Sequence, residues 1–496
     1  MASERRLHPL SFLFAIQESA KRLVFPAVVA LFAARNRDAW ELWAGLFVVP
    51  LAVIALGRAL SFRYSFESTE LVIRSGFVFR RVRHIPYDRV QNVDAVQNLL
   101  HRLFGVIEVR IETGGGTEAE GVMRVVSRDA LDEIRGRVFA QREVAAESTG
   151  TPEAPTVLLA MTPRDVFLFG LVHGRGTIVL GALFGLLWEF GVMDRTGGAL
   201  FGVGAEGRGA LRQFVRALFD DAAFPVQSLG LSILGLFVLL GILRIASALW
   251  TSLTYYGFTV RRSGDDLRCE YGLLTRVAST IPVRRIQKLT IREGPWHRLG
   301  DRVSVGVQTA GGKAEEGGKS TRSWLAPLIR RSALASLLDG IVPEATAAVE
   351  WQPVHPRGVR REFAGAMIFW IPVSIALWFA IGWTALVLFA VLAVWSFVHA
   401  RRSIAAMRWA VAADTVQFAS GWIWRNRLVA PLTKVQVVSR HQTPFDRRHG
   451  MATVFADTAG RTHEGYAIRI PYLAAGVAAA LARQLSAGAA RTSFRW

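Results

Sequence analysis

GFVFRRVRHIPYDRVQ, residues 76–91, decides how this chain is read, because two later stretches match it position for position. They are GLLTRVASTIPVRRIQ, residues 272–287, and GWIWRNRLVAPLTKVQ, residues 421–436. Without a gap, Gly76, Gly272 and Gly421 coincide, then Arg80, Arg276 and Arg425, then Pro86, Pro282 and Pro431, then Gln91, Gln287 and Gln436. Two residues before each glutamine stands a basic side chain, Arg89, Arg285 or Lys434. The register holds further along, through Arg102, Arg298 and Arg447, then Thr113, Thr309 and Thr458, then Gly115, Gly311 and Gly460. So many triple identities in one frame make an internal repeat of three copies, 196 and 149 residues apart.

Both spacings exceed one small domain, and apolar blocks fill the difference. LWAGLFVVPLAVIAL (residues 42–56), LSILGLFVLLGIL (231–243) and the run from Met367 to Val398 concentrate the hydrophobic residues, which are 51% of the 496-residue chain. Blocks rather than alternation point to membrane spans. Six can be drawn: Lys21 to Ala34, Trp40 to Gly57, Thr177 to Met193, Val226 to Leu243, Phe363 to Ala380 and Trp383 to Ala400. Their borders are basic, at Lys21 and Arg22, Arg58, Arg175, Arg244, Arg360 and Arg361, and Arg401 and Arg402. Positive charge flanking both ends of a hairpin places both ends in the cytoplasm.

The expected organisation is an integral membrane α plus β protein. Three transmembrane hairpins, each of two helices, are each followed by a small β-sheet or barrel domain closed by a C-terminal helix. In order, the segments are an N-terminal interfacial segment (1–20), hairpin 1 (21–60), domain 1 (61–141), a linker (142–163), hairpin 2 (164–250) with an external loop (194–225), domain 2 (251–343), a linker (344–362), hairpin 3 (363–402), domain 3 (403–488) and a tail (489–496). Alternating runs such as LVIRSGFVFR and VSVGVQT predict strands. Closing helices are predicted over Ser127 to Phe139, Ser332 to Ile341 and Pro471 to Leu485, with Ser127 and Ser332 as N-caps. A surface helix is predicted over Gly209 to Asp221, and TPRDVFLFGLV (162–172) reads as a proline-initiated interfacial helix.

The motif I-P-x-x-R-V-Q-N-V at Ile85 to Val93, followed by N-x-L-H-R-L-F-G-V at Asn98 to Val106, resembles the bacterial pleckstrin-homology (PH)-like family of membrane-flanked proteins, the YdbS/YdbT-like family, in its long three-domain form. The resemblance covers nearly the whole chain. It implies a split, strongly bent sheet closed by a helix and anchored at the bacterial plasma (inner) membrane, with the PH-like domains and both termini cytoplasmic. It also implies action alongside a smaller single-domain relative. Copies two and three depart from the motif at Asn92, replaced by Lys288 and Val437.

Formal charge is +20, carried almost entirely by arginine. Beside membrane spans such charge serves orientation and anionic headgroups. The aligned basic positions Arg80, Arg89, Arg102, Arg276, Arg285, Arg298, Arg425, Lys434 and Arg447 form a candidate basic rim for lipid headgroups or a protein partner; for Arg80, Arg276, Arg425, Arg89, Arg285 and Lys434 an internal ion pair is the equal alternative. Gly76, Pro86, Gln91, Gly272, Pro282, Gln287, Gly421, Pro431 and Gln436 are expected to hold turns, bends and an amide hydrogen bond.

Enzyme chemistry has little to stand on. The one cysteine, Cys269, builds no disulfide or thiolate metal site, and the ten histidines show no metal-ligand spacing. TGGGTEAEG (113–121) lacks the Lys-Ser/Thr of a phosphate loop, and no G-x-S-x-G elbow is present. The expectation is therefore a non-catalytic scaffold, with no cofactor, metal or nucleic acid, acting in envelope homeostasis. Its partners are membrane lipids, a protein or peptide, and other subunits in a homo- or hetero-oligomer. The contrasting reading is a transporter or exporter component using a six-helix bundle.

Overall fold

The computed structural model describes residues 5–6, 57, 61–76, 80–87, 90–113, 121–127, 129–131, 133–134, 136–137, 156–173, 226–309, 324–412, 414–458 and 468–490. They fall into two compact units. One comprises Met1–Ala160, Gly257–Ile286 and Thr309–Arg322, and the other Met161–Tyr256, Gln287–Gln308 and Ser323–Trp496.

The first unit holds β1 (Arg5–Arg6), β2 (Arg63–Phe66), β3 (Glu70–Ser75), β4 (Arg81–Pro86), β5 (Val90–Gln97), helix α1 (Leu99–Leu103), β6 (Val106–Thr113), β7 (Gly121–Ser127), β8 (Thr156–Ala160), β9 (Thr259–Ser263), β10 (Asp266–Tyr271) and β11 (Arg276–Pro282). One antiparallel sheet runs β1-β2-β3-β4 and a second runs β7-β6-β5-β11-β10-β9-β8. Alternation along the strands aims Leu71, Ile73, Ile85, Val93, Val109, Ile111 and Met123 at one core, with Ile134 of the closing segment laid across it. Ser127 caps that segment as expected, its Oγ accepting from the Ala130 N–H. Cys269, on β10, is buried, and burial together with the nearby Asp94 carboxylate pushes its thiol up to about 12.

The second unit holds α2 (Pro163–His173), α3 (Val226–Thr254), β12 (Ile286–Glu293), α4 (Pro295–Leu299), β13 (Arg302–Thr309), β14 (Trp324–Arg330), α5 (Leu334–Asp339), β15 (Gln352–Pro353), α6 (Gly358–Ile381), α7 (Thr384–Ala406), β16 (Arg408–Val411), β17 (Thr415–Ser420), β18 (Arg425–Pro431), β19 (Val435–His441), α8 (Pro444–Arg448), β20 (Met451–Thr458), β21 (Ile468–Ala474) and α9 (Ala475–Ala490). Its sheets run β14-β13-β12-β18-β17-β16-β15 and β19-β20-β21. Val416, Phe418, Ala430, Val454, Ile468 and Ile470 form the core of the third repeat, closed by Ala478, Leu481 and Leu485 from successive turns of α9.

Each repeat is thus a strand quartet followed by a strand trio, the split sheet that the family resemblance implies. The first strand of each quartet, β1, β8 or β15, comes from a segment read in the sequence as N-terminal or linker. Gln352 pairs with Trp409 and Pro353 with Arg408. The chain therefore leaves for α6 and returns from α7 at neighbouring points of one sheet.

The expectation of six transmembrane helices in three hairpins is corrected. Among the described residues two helices are long and apolar enough to cross a membrane, α6 over Gly358–Phe379 and α7 over Thr384–Ala406. Gly382, at φ 65°, turns between them. Their outward side chains, Ile368, Phe369, Phe379 and Val394 among them, are exposed. The expected fourth span lies in α3, which continues past Arg244 to Thr254. Within it the stretch Leu240–Thr254 is apolar and shorter than the about 20 residues a bilayer core needs. Arg244 donates to the Val172 carbonyl of α2, and Phe169 of α2 packs edge-on against Tyr255 and Trp324. The expected spans Lys21 to Ala34 and Thr177 to Met193, the span Trp40 to Gly57 up to its last residue, and the surface helix over Gly209 to Asp221 lie outside the described residues.

Residues 162–172 do form a proline-initiated helix. Thr162 caps α2, its Oγ1 accepting from the Asp165 N–H and donating to the Asp165 carboxylate. Burial raises the Asp165 pKa, but hydrogen bonds from Thr162 and Arg302, with the Arg302 charge, outweigh it and hold the carboxyl below its ordinary range.

Candidate functional site at the domain joints and the hairpin base

The basic positions singled out by the repeat separate into kinds. Arg102, on α1, donates from Nη1 to the Leu273 carbonyl at 3.0 Å. Its equivalent Arg298, on α4, donates from Nη1 to the Trp422 carbonyl at 3.1 Å and from Nη2 to the Ile423 carbonyl at 3.0 Å. The accepting carbonyls lie in the turns opened by Gly272 (φ 110°) and Gly421 (φ 85°). A left-handed glycine there brings its own backbone against the carbonyl three residues on and leaves the intervening carbonyls pointing outward. Each arginine therefore grips the hairpin turn of the following repeat.

The strands beside these grips also pair. In one joint Arg276, Val277 and Ala278 of β11 stand opposite Gln97, Val96 and Ala95 of β5. In the other, Arg425 to Val429 of β18 stand opposite Glu293 to Leu289 of β12. Gln97 and Glu293 are equivalent repeat positions, as are Arg276 and Arg425, so the two joints share one register. The arginines are held by acids: Arg276 Nη2 lies 3.3 Å from Glu270 Oε2 and Arg425 Nη1 4.0 Å from Glu293 Oε1.

Elsewhere, Arg80 is exposed just before β4, Arg447 is exposed on α8, and Arg285 and Lys434 end one-turn 3-10 helices. Arg89, Gly115, Gly311 and Gly460 lie outside the described residues. Pro86, Pro282 and Pro431 each close a strand, and Gly76 (φ 107°) matches Gly272 and Gly421. The glutamines differ, with Gln287 buried and Gln436 exposed; for Gln91 only the backbone is described.

Sequence reasoning missed the residue just before each of the aligned arginines Arg102, Arg298 and Arg447: His101, His297 and Asp446, all buried. Asp446 and Thr443 cap α8 reciprocally, Asp446 Oδ2 accepting from the Thr443 N–H and Thr443 Oγ1 from the Asp446 N–H. His297 Nδ1 accepts from the Gly294 N–H, which leaves Nε2–H to donate to Ser304 Oγ at 2.9 Å. Burial lowers the His297 pKa and so favours this neutral form, against the opposing pull of Glu293. The same repeat register that exposed the arginines marks these positions, three residues after the cap.

Replacing Arg298 with Ala is expected to cost its joint about 2 kcal/mol, because two charge-assisted hydrogen bonds are lost. Arg102→Ala, more exposed and with one bond, is expected to cost about 1 kcal/mol. Hydrogen exchange of β18 amides in the first variant and β11 amides in the second reads the difference.

A second feature lies at the base of the α6–α7 hairpin. A cleft of about 650 Å³ is lined by Arg361, Trp370, Trp395, His399, Arg469 and Tyr472 together with neighbouring side chains. Tyr472 fastens the base: its carbonyl accepts from the His355 N–H and its hydroxyl donates to Glu362 Oε2 at 2.5 Å. Burial and the Glu362 carboxylate push its phenol far above the ordinary tyrosine value. Trp422 Nε1 donates to His399 Nδ1 at 3.2 Å, so α7 is tied to the β17–β18 turn as well. Arg361 lies over the Phe445 ring and Arg469 over Phe455. Tryptophans and arginines around a concave space at the charged end of apolar helices suit an amphipathic molecule with an anionic head.

A model of the bacterial PH domain matches the chain three times, over residues 21–142, 215–341 and 366–489. The chain belongs to the bacterial PH domain family. Each match takes in one copy of the repeat, so the joints described above connect PH domain to PH domain. The UPF0699 transmembrane protein YdbT of Bacillus subtilis (strain 168) is 22% identical over 490 residues, which are 93% of this chain and 94% of the relative. No solved structure matches.

Proposed function

We propose that this PH-domain chain is a non-catalytic scaffold of the bacterial plasma membrane. Its PH domains, carried at the charged base of a helical hairpin, bind a protein or peptide partner, while anionic headgroups occupy the hairpin-base cleft. The observation that carries this reading is the pairing of β15 with β16, which ties both ends of the α6–α7 hairpin into the sheet of the third domain. Arg360 and Arg361 at one end of the hairpin and Arg401 and Arg402 at the other fall on the side of that sheet, the side that the positive-inside rule makes cytoplasmic. The transmembrane character that the relative's name records for YdbT agrees with it.

The headgroup element is tested on full-length protein reconstituted with phosphatidylglycerol or with phosphatidylcholine alone. Arg361→Glu with Arg469→Glu is expected to lower phosphatidylglycerol retention about tenfold, since each basic side chain near an anionic surface is worth about 1 kcal/mol. Equal retention by the variant would remove the cleft from the account. The partner element is tested by crosslinking in native membranes, where recovery of lipid alone would remove it.

A further inference from the structure

Two of the three repeats pass a strand edge and an arginine to the next repeat; the third has the same equipment, and among the described residues nothing is paired to that edge. Position by position, the equipment in the third repeat is complete. Gln97 Nε2 donates to the Val106 carbonyl in the occupied first joint, and the equivalent Gln442 Nε2 donates to the equivalent Met451 carbonyl. Gly105 and Gly450, after α1 and α8, share the left-handed conformation at φ 66° and 68°. Arg447 stands where Arg102 and Arg298 stand, and its guanidinium hydrogen-bonds no described residue. Among the described residues β19 pairs only with β20 and is largely exposed, whereas its equivalent β12, covered by β18, is largely buried.

The opposite end of the series carries the missing half. Among the described residues β4 pairs only with β3, and Arg81, Val82, Arg83 and His84 along it are exposed. It is preceded by Gly76 at φ 107°, against 110° for Gly272, which opens the turn that Arg102 grips. Edge strands left open in this way are templates for another chain.

We propose that β19 of one copy receives β4 of a second copy of this chain, repeating the internal strand pairing between molecules and bringing Arg447 beside the Gly76 end of β4. The joint is antiparallel strand addition, with Arg80 opposite Gln442, as Arg276 stands opposite Gln97, and with Val82 opposite Arg440. Because the two surfaces differ, the contact is head-to-tail and can extend beyond a dimer. The occupant is a second copy because the chain itself presents each feature of the received half: the left-handed glycine, the arginine and the open strand. Arg81 stands opposite His441 in this register, which weakens the contact between isolated molecules, and confinement in one membrane raises the local concentration that offsets it. The inference stands on strand topology and does not depend on headgroup or partner binding.

The test uses two full-length forms with different tags, coexpressed in membranes, one carrying Val82→Cys and the other Arg440→Cys. Directly opposed residues of an antiparallel pair have Cα atoms about 4.5 to 5.5 Å apart, within disulfide reach. Cys269 is buried and is retained. Mild oxidation is expected to link one tag to the other, and a single chain carrying both cysteines is expected to give a ladder. Arg447→Glu in the Arg440→Cys form is expected to cut the linked product at least about fivefold, with thermal unfolding of the variant unchanged because Arg447 is exposed. Absence of the two-tag product would overturn the proposal, as would a yield that Arg447→Glu leaves untouched. Linkage of Arg440→Cys to a different polypeptide instead would assign the edge to a separate partner and equally overturn it.

Discussion

Gly421→Ala is expected to open the joint between the second and third repeats. A Cβ at Gly421 would sit 1.9 Å from the Trp424 carbonyl oxygen, and the backbone is at φ 85°. That contact is with backbone, so the turn itself has to rearrange, at a cost of at least about 3 kcal/mol. The turn also presents the Trp422 and Ile423 carbonyls to Arg298, so the grip is lost with it. Amides of β18 are expected to exchange faster by about two orders of magnitude, while the α9 amides of the third core keep their protection. Gly450→Ala is the comparison: its φ is 68° but an added Cβ meets nothing within 4 Å, so only the conformational penalty of about 1 kcal/mol remains. Equal effects in the two variants would mean that the turn's close approach carries no weight.

Gly170→Val is expected to prise α2 from α3. A Cβ at Gly170 would lie 2.7 Å from Ala248 Cα and 2.8 Å from its carbonyl oxygen, so the backbones of the two helices leave no room there for a side chain. Phe169 beside it is buried, stacked on His173 and edge-on to Trp324. Separation of the helices uncovers this cluster, at a cost of about 3 kcal/mol or more. Fluorescence of a variant series retaining Trp324, followed through thermal unfolding, reads the loss. Gly241→Ala, where a Cβ meets nothing within 4 Å, is expected to be neutral or to stabilise by about 0.5 kcal/mol.

The repeat was legible because it writes backbone geometry into residue type. A left-handed turn demands glycine, so Gly76, Gly272 and Gly421 survive in register, and a strand that ends before a 3-10 turn tolerates proline at Pro282 and Pro431. The α6–α7 hairpin was legible from apolar length and its arginine brackets, although the helices extend beyond the span read from the sequence, to Gly358 and Ala406. The first strands of the quartets were not legible. Thr156–Ala160 and Gln352–Pro353 are too short to show a period, and they pair with strands far along the sequence. Ser332 falls inside a 3-10 turn and Ala333 occupies the cap of α5, while the last helix starts at Ala475 because Pro471 is still within β21.

The role of Arg102 and Arg298 was hidden for a different reason. Their type and spacing suggested a rim for anions, but their partners are main-chain carbonyls, which every residue possesses and no sequence pattern marks. For Arg276 and Arg425 the sequence leaves a ligand rim and an internal ion pair both open, and Glu270 and Glu293 lie beside them.

The placement of the gripping arginine in one repeat and its acceptor turn in the next bears on how such genes can change length. A tandem duplication of one complete unit brings its own connectors, and loss of one complete unit brings compatible neighbours together without a compensating substitution at the seam. Lineages are therefore free to gain or shed units whole, whereas a breakpoint inside a unit strands half of a connector on each side.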